Sequence, residues 1–127
     1  ARAEELSRAD PWPAARPRLV HGDLYARHLL VDQVGLPSGV IDWGDLHRGD
    51  PALDLSLAWS FLRGEARRDL LLAYEAAVGE RVDPATRCRA RFRALFYGAV
   101  LVLYGRDAGD EAIERVGREA FVCGMAD

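Results

Sequence analysis

Two carboxylates and an imidazole stand close together early in the chain, each beside an apolar run. Arg18-Leu19-Val20-His21-Gly22 leads into Asp23, His28 follows five positions later, and Val40-Ile41 leads into Asp42. Short apolar runs bounded by Gly and polar residues read as strands. Carboxylates delivered at strand ends, with a histidine between them, can converge on one point. That is a way to hold a divalent cation beside a general base. If His21 turned toward the same point, the set would instead suit a transition metal and hydrolysis.

The elements that must position these groups follow from the punctuation of the chain. Ala3 to Ala9 reads as a short helix stopped by Asp10-Pro11-Trp12-Pro13. Pro17 sets an extended entry into Arg18-Leu19-Val20, and Gly22 permits an unusual turn before Asp23. Leu29-Leu30-Val31 and Gly39 to Trp43 predict one antiparallel hairpin, turned by Gln33 to Gly39, with Asp32 and Gly39 near its closed end. Asp50-Pro51 predicts a helix start, and Leu53, Leu55, Leu57, Ala58, Phe61 and Leu62 make that helix apolar on most sides up to Gly64. A second helix is expected over Glu65 to Val78, with Ala66, Leu70, Ala73 or Tyr74, and Ala77 inward and Gly79 as its C-cap. Asp83-Pro84 opens a third, expected to stop at Gly105. A last helix runs from about Asp110 to Cys123 with Ile113, Val116, Ala120 and Phe121 inward. The fold class is therefore mainly α with a small β hairpin.

Composition narrows the function. The chain has 127 residues, 50% of them hydrophobic, and a net charge of -3, so one domain with a real core is expected and charge-driven nucleic-acid binding is not. No apolar run reaches membrane-spanning length, and Ala1 to Glu5 has no apolar segment behind it. Cys88 and Cys123 are far apart and read as buried free thiols, which with the above predicts a cytoplasmic protein. Trp43 reads as a packed aromatic. Asp107, Asp110, Glu111 and Glu114 read as a solvated acidic face at a helix start.

His21-Gly22-Asp23-Leu24 with His28, then Ile41-Asp42-Trp43, then Gly49-Asp50-Pro51-Ala52-Leu53-Asp54-Leu55 resembles the aminoglycoside phosphotransferase family, in order and in spacing. That resemblance implies the C-terminal lobe of a protein-kinase-like fold. It implies that Asp23 is the catalytic aspartate, orienting a substrate hydroxyl for attack on the γ-phosphate of ATP or GTP. It implies that Asp42 holds Mg2+, that His21 supports the catalytic loop from behind, and that Asp50 and Asp54 brace it. His28 stands where most of the family has a metal-binding asparagine, and macrolide phosphotransferases also tend to carry histidine there. His28 is thus expected to bind Mg2+ weakly, to favour Mn2+, or to meet phosphate directly.

Residues 1–127 are read as this single lobe, without the nucleotide-binding N-terminal lobe, since no Gly-rich phosphate loop stands upstream of Asp23. The chain is therefore expected to be inactive alone. The partner is a small-molecule hydroxyl substrate, an antibiotic or a related metabolite. An exposed apolar surface is expected where the other lobe would sit, available to homodimerisation. Two alternatives stay open on the residues alone: a non-catalytic kinase-like binding module and the metal-dependent hydrolase.

Overall fold

Short strands gather at one end of a helical body. The computed structural model describes residues 15–126; the expected Ala3 to Ala9 helix and its proline stop lie outside them. The elements are β1 (Arg18–Val20), β2 (Leu29–Val31), β3 (Pro37–Val40), β4 (His47–Gly49), α1 (Ala52–Leu55), α2 (Leu57–Ser60), α3 (Gly64–Val78), α4 (Pro84–Ala108) and α5 (Glu111–Met125). Short 3-10 turns at Ala26–His28 and Trp43–Asp45 lie between strands.

The predicted hairpin forms, with Leu29 opposite Val40, Leu30 opposite Gly39 and Val31 opposite Pro37. Its closed end is at Asp32, whose carboxylate accepts the Val34 and Leu36 N–H groups, so Gly39 lies inside the ladder rather than at the turn. The second strand stops at Val40, ahead of Asp42. A second antiparallel pair, β1 with β4, was not foreseen: Val20 faces His47 and Arg18 faces Gly49. Three-residue strands carry too little alternation to be read from sequence, and His47-Arg48-Gly49 has no strand-forming residue.

The single apolar helix expected after Pro51 is two four-residue helices joined at Ser56. Ser56 Oγ donates back to the Leu53 carbonyl at 2.6 Å, the kind of local bond that bends a helix. Leu55, Leu57, Ala58 and Trp59 are buried, whereas Phe61 is 55% exposed. Gly64, at φ 51°, opens α3 instead of closing the helix before it.

The inward stripe of α3 is not the predicted alanines. Arg67 and Leu71 are buried and Leu70 and Tyr74 pack on the core, while Ala66, Ala73 and Ala77 are exposed. The reason is Arg67, which donates to the carbonyls of Ala58, Leu62, Cys123 and Ala126 at 2.9–3.2 Å. It ties α2 to the C-terminal carbonyls of α5, which have no partner within their own helix. Arg91 serves the same end, donating to Gly124, Met125 and Ala126.

Gly105 does not stop α4, which continues to Ala108 before Gly109 caps it at φ 67°. Gly105 is instead a contact point: a Cβ there would lie 2.5 Å from the Glu114 nitrogen. Gly98 and Gly117 face each other in the same way, so α4 and α5 pack backbone to backbone. That close approach turns Val116 and Phe121 partly outward, at 39% and 37% exposed. The core gathers Ala52, Leu55, Ala58, Trp59, Leu71, Val82, Ala90 and Ala94. Cys123 is buried as expected, Cys88 only half-buried, and the two are not joined in a disulfide. No helix among the described residues is long and apolar enough to cross a membrane.

Candidate active site

Gly22 makes the turn that delivers Asp23. Its φ is 91°, and a Cβ would run into the Asp45 carbonyl oxygen. Only glycine meets both conditions. The turn is held from beneath by Asp54 on α1, whose carboxylate accepts the His21 N–H at 2.6 Å and the Gly22 N–H at 3.1 Å. Asp50 accepts the Ala52 N–H at 2.9 Å, starting α1, and takes the Arg89 Nε at 2.7 Å, locking α1 to α4. Asp54 thus braces the Asp23 loop directly, whereas Asp50 caps α1 and pairs with α4 without touching that loop.

His21 is 3% exposed, and both of its ring nitrogens are engaged. Nδ1 accepts the Asp23 N–H at 3.3 Å, which leaves Nε2 to donate to the Ile41 carbonyl at 2.8 Å. One imidazole thus staples the Asp23 loop to the segment carrying Asp42. Trp43 leans on the His21 ring, centroids 4.7 Å apart, and donates to the Val40 carbonyl, yet it is 52% exposed, so it is packed on one side only.

His28 is buried at 8% exposed, held edge-on by Tyr25. Its Nδ1 lies 2.8 Å from the Asp23 carbonyl oxygen, and since a carbonyl can only accept, Nδ1 carries the proton. In the neutral ring the Nε2 lone pair then faces Asp42, 3.4 Å from its Oδ2. Asp42 is the only non-glycine residue with positive φ among those described, at φ 63° and ψ 59°. Such strain persists where the surrounding structure over-determines it, often at functional sites. The Asp23 carboxylate lies 3.9 Å from His28 Nδ1, so Asp23, His28 and Asp42 do come together.

His21 does not join them, because its nitrogens are spent on backbone groups. Among the described residues no three His, Cys, Asp or Glu side chains gather as a ready metal cluster, which removes the geometric basis of the hydrolase alternative. The pair that remains can bracket a small cation: two donors 3.4 Å apart, each about 2.1 Å from one ion, subtend roughly 108° there, so an octahedral ion would draw them a few tenths of an ångström closer. The lone pair of His28 Nε2 and the 64% exposed Asp42 carboxylate are the donors that would hold it, the remaining positions falling to water or phosphate oxygens.

Sequence reasoning missed the far wall. Arg93, Phe96 and Tyr97 on α4 line, with Asp23 and Tyr25, a cavity of about 170 Å³. Burial pushes the Tyr97 hydroxyl up to about 12, so it stays protonated and can donate. The only signal in the sequence was the i, i+3, i+4 spacing of these residues on one helix face. Of the acidic face, Asp107 and Glu111 are exposed as expected, whereas Asp110 is half-buried as the cap of α5 and Glu114 half-buried in ion pairs with Arg106 and Arg118.

A mostly helical body with small antiparallel strand pairs at one end is an arrangement found among kinase-like phosphotransferases. The chain belongs to the Phosphotransferase enzyme family (APH), whose family model matches residues 1–95. It is similar to viomycin phosphotransferase of Streptomyces vinaceus, 35% identical over 114 residues, covering 87% of this chain and 38% of that protein. It is also similar to the uncharacterized protein YcbJ of Bacillus subtilis (strain 168), 38% identical over 71 residues, covering 56% and 22%. Among solved structures, macrolide 2'-phosphotransferase type I aligns with TM-score 0.57 and 33% identity, over 91% of this chain and 38% of that one. The GDP and kanamycin complex of APH(2")-IIia aligns with TM-score 0.63 at 24% identity, over 98% and 41%, and shows the fold. The chain thus spans between 22% and 41% of these relatives.

Proposed function

We propose that this chain is the catalytic-loop and substrate-binding lobe of a small-molecule O-phosphotransferase, moving the γ-phosphate of ATP or GTP to an acceptor hydroxyl. The observation that carries this reading is the convergence of Asp23, His28 and Asp42: His28 is fixed by the Asp23 carbonyl, and its other nitrogen and the Asp42 carboxylate stand 3.4 Å apart as two neighbouring electron-pair donors. Phosphoryl transfer asks the protein chiefly for positioning and charge neutralisation. Asp23, half-exposed at the mouth of the α4 cavity, orients the acceptor hydroxyl and takes its proton. Asp42 and His28 hold Mg2+ or Mn2+, which neutralises the phosphate oxygens when bound. His21 and Asp54 keep the loop at its distance from Asp42.

The donor's base and outer phosphates are read by a separate N-terminal lobe, in keeping with the share of each relative that this chain spans. Leu30, Val31, Val34, Leu36, Ile41, Trp43 and Leu46, all exposed, form the surface that lobe covers; alone, the same surface favours a homodimer. A cytoplasmic location is part of the same reading.

The test is ATP- and GTP-dependent phosphorylation of a panel of macrolides, aminoglycosides and simpler alcohols by the protein with both lobes. Transfer to at least one acceptor is expected, with Asp23→Ala lowering kcat by at least about a hundredfold. No transfer to any hydroxyl, or an Asp23→Ala protein as active as the original, would sink the reading.

A further inference from the structure

We propose that the acceptor taken beside Asp23 has an apolar or aromatic body and a neutral or negative charge, and that polycations are excluded; this rests on the phosphotransfer reading above. Two cavities meet at Tyr25 and Tyr97, whose ring centroids are 5.7 Å apart. The first, about 170 Å³, contains Asp23, Arg93 and Phe96. The second, about 380 Å³, contains Arg27, Phe61, Arg63 and Glu119.

Apart from Asp23, the walls carry three guanidinium groups against one carboxylate. None of Arg27, Arg63 and Arg93 forms an ion pair with a described residue. A ligand with several ammonium groups would set them against these cations, and like-charge juxtaposition lowers both affinity and on-rate. A carboxylate or phosphate on the acceptor would instead be met by an arginine fork.

The rest of the lining is flat and apolar. Phe96 is 64% and Phe61 55% exposed, and two tyrosine rings stand between them. Exposed aromatics grouped at a cavity mouth are what a planar ligand covers. Tyr97, protonated throughout the physiological range, offers its O–H to a neutral or anionic acceptor oxygen. The acidic face at the start of α5 adds no negative charge to either cavity: Asp110 and Glu114 are engaged in a helix cap and in ion pairs, and Asp107 and Glu111 line neither cavity.

The experiment uses the two-lobed protein and three probes: tropate (an aromatic acid with a primary hydroxyl), chloramphenicol (neutral) and kanamycin (polycationic). Calorimetric Kd and kcat/KM are both measured. Tropate and chloramphenicol should bind at least about tenfold more tightly than kanamycin. Arg63→Glu with Arg93→Glu should shift that ratio toward kanamycin by at least about tenfold, with Arg93→Gln as a milder step should the double variant fail to fold. Kanamycin bound as well as the others, an unchanged ratio in the folded variants, or binding of none of the three overturns the proposal. Selective binding of tropate and chloramphenicol with transfer to no acceptor supports it while overturning phosphotransfer. Transfer to kanamycin alone does the reverse.

Discussion

Replacing Asp54 by alanine should unseat the Asp23 loop without altering a residue of the loop itself. The Asp54 carboxylate accepts the N–H groups of His21 and Gly22 at 2.6 and 3.1 Å, and His21 is 3% exposed. A hydrogen bond to a charged group is worth about 1.5–3 kcal/mol, and a buried donor left without a partner costs a similar amount. The His21 bond is short and shielded, so it takes the upper figure; the Gly22 bond is longer and half-buried, so it takes the lower. Asp54→Ala should therefore cost about 4.5 kcal/mol, a large share of the 5–15 kcal/mol typical of a domain. Asp54→Asn keeps one acceptor oxygen and should cost about half as much. At about 4 °C per kcal/mol for a domain of this size, the falls in Tm are about 18 and 9 °C. Urea unfolding gives the free energies, and amide exchange reads the two donors directly, since His21 and Gly22 should lose protection first. A change below about 0.5 kcal/mol in Asp54→Ala, or unaltered protection of those two amides, would refute the reasoning.

Arg67→Met should cost about 3 kcal/mol by urea unfolding, because the Ala58, Leu62, Cys123 and Ala126 carbonyls lose their common donor; Arg67→Lys should rescue little, as a point charge cannot serve four acceptors. Stability should also depend on acid. The Val82 N–H and then the Arg87 guanidinium hold Glu75 below its ordinary 4.5, and the Thr86 hydroxyl and N–H hold Asp83 below its ordinary 3.8. Groups lowered on folding stabilise above their ordinary values and lose that contribution as the pH falls through the lowered ones. Unfolding free energy should thus be level from pH 7 to about 5 in respect of these groups and fall below about 4.5, with Glu75→Gln flattening the fall; an unchanged slope in that variant counts against the assignment.

Much of the site could be read before any coordinates. Asp23, His28 and Asp42 are carried by short local segments, and local order sets their spacing. Gly22 was recognisable because a glycine beside a functional carboxylate signals a backbone that side chains would obstruct. The helices announced themselves through Asp83-Pro84, Gly79 and Asp110, whose effects reach only a turn of chain. Gly105 and Gly98 were legible as glycines but not as contacts. A helical glycine either breaks the helix or admits a neighbour, and only the presence of α5 decides which.

What tertiary structure decided is who answers whom across long stretches of chain. Asp54 reaches His21, Asp50 reaches Arg89, and Arg67 reaches Cys123 and Ala126. No periodicity encodes such pairs, because each depends on how two elements pack. The same holds for His28. Its identity marks it as a ligand candidate, but the protonated nitrogen is set by the Asp23 carbonyl, and it is Asp42, in a left-handed turn, that lies 3.4 Å from the other. The sequence by itself thus pointed to the candidate groups and to most of the helices behind them. The fold alone determined their tautomers, their separations and the wall of Arg93, Phe96 and Tyr97 that α4 sets beside Asp23, since those are properties of surfaces brought together from distant parts of the chain.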